Sequence, residues 1–184
     1  AEASLRESEI ALAQVRRTAP SSFSSAYSTA LSSLTDAYTE SSNAVYNVAD
    51  RFFQNVTTGS PTLVVSYISN GAVYTFTVAD DIKRQVANRR SEISIPLSNW
   101  KTSLDKLKGS GGDLSSSFAE AEANLVRVKI LLADLSSALG SITSYDYSYE
   151  SILAGYKTSV STAQSSVNAT LTALISAKDR YVSA

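Results

Sequence analysis

The sequence predicts a mainly α protein, an elongated antiparallel bundle of four to five helices with one inserted β-hairpin, forming a single domain over residues 1–184. Three observations carry this reading. Apolar residues recur at alternating steps of three and four over most of the chain, the period of a helix face. Between residues 62 and 79 the period falls to two around Asn70-Gly71, which is the strongest short-range hairpin signal. A chain of 184 residues with 43% hydrophobic and 18% charged residues is also long and apolar enough to bury one core.

The elements follow in order. Leu5, Leu12 and Val15 mark a short amphipathic helix over 2–18. Pro20 suits the first turn of a second helix, 20–57, whose seam is Tyr27, Leu31, Leu34, Tyr38, Ser41, Val45, Val48 and Phe52. In the hairpin 62–79 a two-residue turn pairs Tyr67 with Tyr74, Val65 with Phe76 and Leu63 with Val78, so that one face is apolar and the other carries Ser66, Thr75 and Thr77. Asp80 and Asp81 then open a helix over 81–108 with Ile82, Val86, Ile93, Leu97, Trp100, Leu104 and Leu107 inside, which Pro96 is expected to break or kink.

After the turn Gly109-Ser110-Gly111-Gly112, Asp113 is the expected N-cap of a helix ending at Gly140. Its seam of Leu114, Phe118, Ala121, Leu125, Val128, Leu132, Leu135 and Leu139 is an uninterrupted heptad pattern. The last helix, 149–183, repeats the device with Tyr149, Leu153, Tyr156, Val160, Ala163, Val167, Thr170, Leu174, Ala177 and Tyr181. Gly155 interrupts this helix, and close packing against a neighbour is the expected reason.

Composition excludes much of enzymology. The chain has no Cys, no His and no Met. Disulfides, thiolate nucleophiles, thiolate zinc sites and the commonest general base are therefore unavailable, and neither an enzyme nor a bound cofactor is expected. Sixteen basic and seventeen acidic residues leave a net charge of −1, which gives no field to hold nucleic acid. No apolar run reaches the length of a transmembrane helix. The small-residue start Ala1-Glu2-Ala3 fits a processed, secreted and soluble protein, as would the sequons at Asn55 and Asn168, although an Asn-x-Ser/Thr triplet arises readily by chance in so Ser- and Thr-rich a chain.

Three groups of side chains could act. Lys83, Arg84 and Arg90 begin a basic stretch that could grip an anion, but a solvated helix face explains such a run more simply, and Arg90→Ala is then expected to be nearly neutral to stability. The pairs Asp80/Asp81 and Glu120/Glu122 read as structural, with no calcium-loop spacing around them. Tyr67, Tyr74, Thr75 and Thr77 of the hairpin, with Tyr145 and Tyr147 in the Ser-rich segment before the last helix, are the candidate interaction residues, because tyrosine offers a large contact area at low entropy cost. The functional expectation is a secreted, extracellular structural or interaction protein, such as a coat, filament, adhesive or foam component, whose partner is itself. The alternative is an amphipathic carrier or membrane-active protein, with lipid as the partner and the hairpin as a tongue.

Overall fold

The computed structural model describes residues 2–57, 59–69, 71–110, 112–142 and 147–184. Helix α1 (Glu2–Ser42) continues into a π-helical segment (Asn43–Val48) and a 3-10 turn (Ala49–Phe52). Four short strands follow, β1 (Phe53–Gln54), β2 (Thr62–Leu63), β3 (Ser66–Ser69) and β4 (Ala72–Thr75). Then come α2 (Asp80–Ser110), α3 (Ser115–Ser141) and α4 (Tyr147–Val182). Helix α4 lies between α1 and α3, and α2 closes the bundle against α3.

The seams meet in one continuous core. Leu34, Val45, Phe52, Ile93, Trp100, Phe118, Leu125, Leu132, Val160 and Leu174 are all buried. Each such side chain contributes about 1.5–3 kcal/mol on leaving water. Along α1 and the π-helical and 3-10 segments that continue it, Ala30, Ala37, Ala44 and Ala49 are fully buried beside the seam, and these small side chains leave room for the neighbouring helices to approach. Tyr38 meets Trp100 edge to face at 5.4 Å, fixing α1 against α2.

Several sequence expectations are corrected. The helices expected at 2–18 and 20–57 are one helix running through Pro20, and it ends at Phe52, where Phe53 turns extended and Asn55 takes a positive φ of 58°. Pro96 does not break α2. A proline forfeits one backbone bond to the residue four before it, whereas Ile93, Leu97 and Trp100 around it are buried, and the packing outweighs the lost bond. Gly140 lies inside α3, which continues to Ser141, and Gly155 is exposed, with nothing within 4 Å of where its side chain would begin, so close packing does not account for it.

Every described side chain from Arg6 to Ser25 is exposed. Burial starts where Phe23 and Tyr27 reach Tyr181 near the end of α4, with ring centres 5.9 and 6.4 Å away, and Phe118 of α3 closes the same aromatic cluster at 6.1 Å from Tyr181.

Candidate functional site

The other end of the bundle carries the hairpin. Strands β3 and β4 pair antiparallel in the expected register, Tyr67 opposite Tyr74 and Ile68 opposite Val73, and beyond the ladder Phe76 N–H donates to the Val65 carbonyl at 2.8 Å. Ser69 faces Ala72 across the turn, where Gly71 adopts a φ of 80° that Gly reaches without a Cβ penalty. Asn70 lies outside the described residues. The expected pair Leu63 with Val78 is not made. Leu63 pairs instead with Phe53, because the chain leaving the 3-10 turn offers an extended edge there, and Val64 N–H donates to the Phe52 carbonyl at 2.8 Å.

The apolar face of the hairpin closes the bundle. Leu63, Val65, Tyr67, Phe76 and Val78 are buried. Tyr67 stacks on Tyr74 at 5.3 Å and touches Tyr149 of α4 at 4.4 Å and Phe76 at 4.9 Å. Two turns on, the Tyr156 hydroxyl donates to the Ser66 carbonyl at 2.8 Å while its ring meets Phe52 edge on at 5.2 Å, with the Arg51 guanidinium 5.9 Å above it. The two ends of that tyrosine thus join a backbone group of the hairpin to the core.

The opposite face is apolar at its tip. Ile68 is 71% exposed and Val73, directly across from it, 69% exposed. Strict alternation along each strand assigns both to the face of Ser66 and Thr75, so the pattern contained them, but their hydrophobicity drew no attention beside the polar neighbours. Tyr74 is 44% exposed at the border of the two faces, and Thr75 and Thr77 are exposed. Among the described residues β3 and β4 pair with no further strand, and while the Ser66 carbonyl on the outer side of β3 accepts from Tyr156, the outer edge of β4 has no strand beside it.

The expected basic face is not assembled. Lys83 bonds Asp80 at 3.3 Å, Arg84 is exposed, and Arg90 is only 2% exposed. Arg90 donates through Nη2 to Asp50 Oδ2 at 2.8 Å and through Nε to Asp50 Oδ1, forming a bidentate pair between α2 and the 3-10 turn. Its Nη1 donates to Ser94 Oγ at 2.7 Å, and its guanidinium lies 5.7 Å from the centre of the Tyr46 ring. Burial pushes the Tyr46 hydroxyl pKa above its ordinary value, with the Arg90 charge pulling the other way. The expectation that Arg90 is a surface residue is therefore overturned, and Asp50 is a partner the sequence reading missed. The signal was present: Val86, Ile93, Leu97 and Trp100 follow the three-and-four rhythm only if position 90 is part of the seam.

The remaining candidates are dispersed. Asp80 and Asp81 stand exposed at the start of α2, and Glu122 bonds Lys178 of α4 at 2.8 Å. Among the described residues no three acidic side chains gather. Asn55 and Asn168 are exposed, the latter on α4. Tyr145 lies outside the described residues, and Tyr147 is placed only as the first residue of α4. The grooves along α1 and α4 are open and lined by Ser21, Ser22, Ser25 and Arg180 at one end and by Glu40, Asn43, Arg51 and Thr162 at the other. Among the described residues no helix is long and apolar enough to cross a membrane. Comparison with protein-family models, with curated proteins and with solved structures gives no match, so the class that the geometry defines is a helical bundle capped by a hairpin.

Proposed function

We propose that the protein is a non-enzymatic, secreted structural protein that works by associating with copies of itself, with the hairpin as one contact. The observation that carries this reading is the two-sided hairpin. Its inner face is consumed as a cap, whereas its outer face presents Ile68 and Val73 beside a β4 edge that no further strand covers. An exposed edge is a template for another strand, and proteins that do not use such an edge usually blunt it with charge or proline. The described part of this one has neither, from Ser66 to Ser69 and from Ala72 to Thr75. The Ser-rich, weakly charged surface suits dense assembly in a coat or filament. A lipid-inserting tongue is the second reading, which the exposed Ile68 and Val73 alone favour.

The test is the particle mass of the purified chain by light scattering, compared with Val73→Lys and Thr77→Lys, which add charge to the outer face without touching the cap. Wild type above monomer mass and a smaller particle for Val73→Lys support the reading. A monomer that binds phosphatidylcholine vesicles only when Val73 is intact supports the tongue.

A further inference from the structure

We infer that self-association takes the form of strand addition at β4, whose outer edge pairs antiparallel with the β4 edge of a second copy about a two-fold axis at Thr75. This rests on the self-associating reading above and names the edge and the register. Antiparallel strands alternate between residue pairs that exchange two backbone hydrogen bonds and pairs that exchange none. Phe76 N–H donates to the Val65 carbonyl, so in the β3–β4 register Phe76, Tyr74 and Ala72 turn their backbone groups inward, to Val65, Tyr67 and Ser69. Val73, Thr75 and, by continuation, Thr77 turn theirs outward. The same parity sends the groups of Val64 and Ser66 out on the other side of the hairpin, where the chain itself takes them. Val64 N–H donates to the Phe52 carbonyl and the Ser66 carbonyl accepts from Tyr156 Oη, each at 2.8 Å. Among the described residues nothing bonds the outward groups of β4, a strand whose four residues are all exposed.

Charge and symmetry make a second copy the occupant. No charged residue stands between Ser66 and Ala79, and the chain carries a net charge of only −1, so two such edges meet without like charges opposed. Centred on Thr75, the two-fold sets Thr75 opposite its own counterpart and Val73 opposite Thr77 twice, so that all three outward residues exchange both of their bonds. Every other centre from Val73 to Thr77 sets at least one of the three against Gly71 in the turn, or against Ala79 or Asp81 at the start of α2. In the Thr75 register Tyr74, 44% exposed in the single chain, falls opposite Phe76 in a pair without hydrogen bonds. Facing side chains are closest in such pairs, and the half-exposed ring gains an aromatic neighbour.

The experiment reads hydrogen exchange residue by residue on the full chain at micromolar and millimolar concentration, with sedimentation equilibrium reporting the dimer. The amides of Tyr74 and Phe76 should be protected at both concentrations. Those of Val73, Thr75 and Thr77 should slow at least tenfold, and only where dimer is present. Thr75→Pro removes one outward N–H and no bond of the β3–β4 ladder, a change that an edge strand tolerates. It should weaken the dimer at least tenfold with a melting curve near that of wild type; should it melt lower, the exchange pattern, which needs no substitution, decides. The chain has no Cys, so single cysteines report the register. Hydrogen-bonded partners stand about 5.5 Å apart at Cα, within disulfide reach. In a glutathione redox buffer, Val73→Cys mixed with Thr77→Cys should therefore form the mixed disulfide faster than either forms its own. A dimer with those three amides unprotected, a Thr75→Pro chain that pairs as tightly as wild type, or homodisulfides forming faster would each overturn the edge pairing while leaving self-association standing. A wild-type chain that is monomeric throughout would overturn both.

Discussion

Arg90 shows how far one side chain can depart from its sequence appearance. It sits among basic neighbours that do face water, yet its guanidinium is buried and spends its donors on Asp50 and Ser94. Arg90→Ala would leave the Asp50 carboxylate, 13% exposed, without its counter-charge, and a broken buried pair costs about 3 kcal/mol or more. Replacing both partners with apolar residues, Arg90→Met with Asp50→Leu, should cost far less, within about 1 kcal/mol, because no charge is left stranded. Denaturant melts of the single and double variants check this, and equal losses would refute it. Asp113 offers a contrasting case at the surface. Its carboxylate accepts from the Ser115 backbone N–H at 3.0 Å and from the Ser115 hydroxyl at 2.8 Å, and these bonds hold its pKa below the ordinary value. A depressed carboxyl pKa contributes stability above its unfolded value and loses it as pH falls through the folded one. Asp113→Asn should therefore flatten the acid side of the stability profile, and melts between neutral pH and the acid limb read it.

At the scale of the element, what was legible was periodic. The seam of α3 was read residue by residue and is buried without exception, because Leu114 to Leu139 is apolar at every place where the rhythm requires it. Leu125→Asp should accordingly unfold the chain, as a fully buried position offers a carboxylate no partner, and loss of the helical circular-dichroism signal would show it. The hairpin register was legible for the same reason, Asn70-Gly71 fixing the turn and alternation fixing the faces. Where elements stop was less legible, since that depends on neighbours. Leu63 left its hairpin partner for Phe53, a residue ten positions earlier that no local pattern couples to it. Pro96 was read as a break or kink because its local cost is visible in sequence, whereas the packing of Ile93, Leu97 and Trp100 that overrides it is not, and Pro20, read as the first turn of a new helix, lies instead within α1 among exposed side chains, where no packing accounts for it. Gly155 was read as a close-packing residue and is a solvent-facing position in a helix. Gly155→Ala should then stabilise the protein by about 0.5–1 kcal/mol, the difference in helix propensity, seen as a higher denaturant midpoint with an unchanged slope.

At the scale of the molecule, the hairpin contact lies at one end of a rod. Helix α1 and the π segment that continues it lead to the 3-10 turn beside the hairpin, and α4 runs back, with Tyr156 near Phe52 at one end and Tyr181 near Phe23 at the other. Forty-one residues of α1 alone give roughly 60 Å between the ends. A hairpin contact that joins like to like is satisfied in a dimer with two-fold symmetry. The expected outcome is specific to this arrangement. Wild type should stop at a dimer, and Val73→Lys should be a monomer with a normal melting curve. Sedimentation velocity distinguishes these cases. Continued growth of wild type beyond a dimer would show that a lateral face of the bundle takes part in assembly.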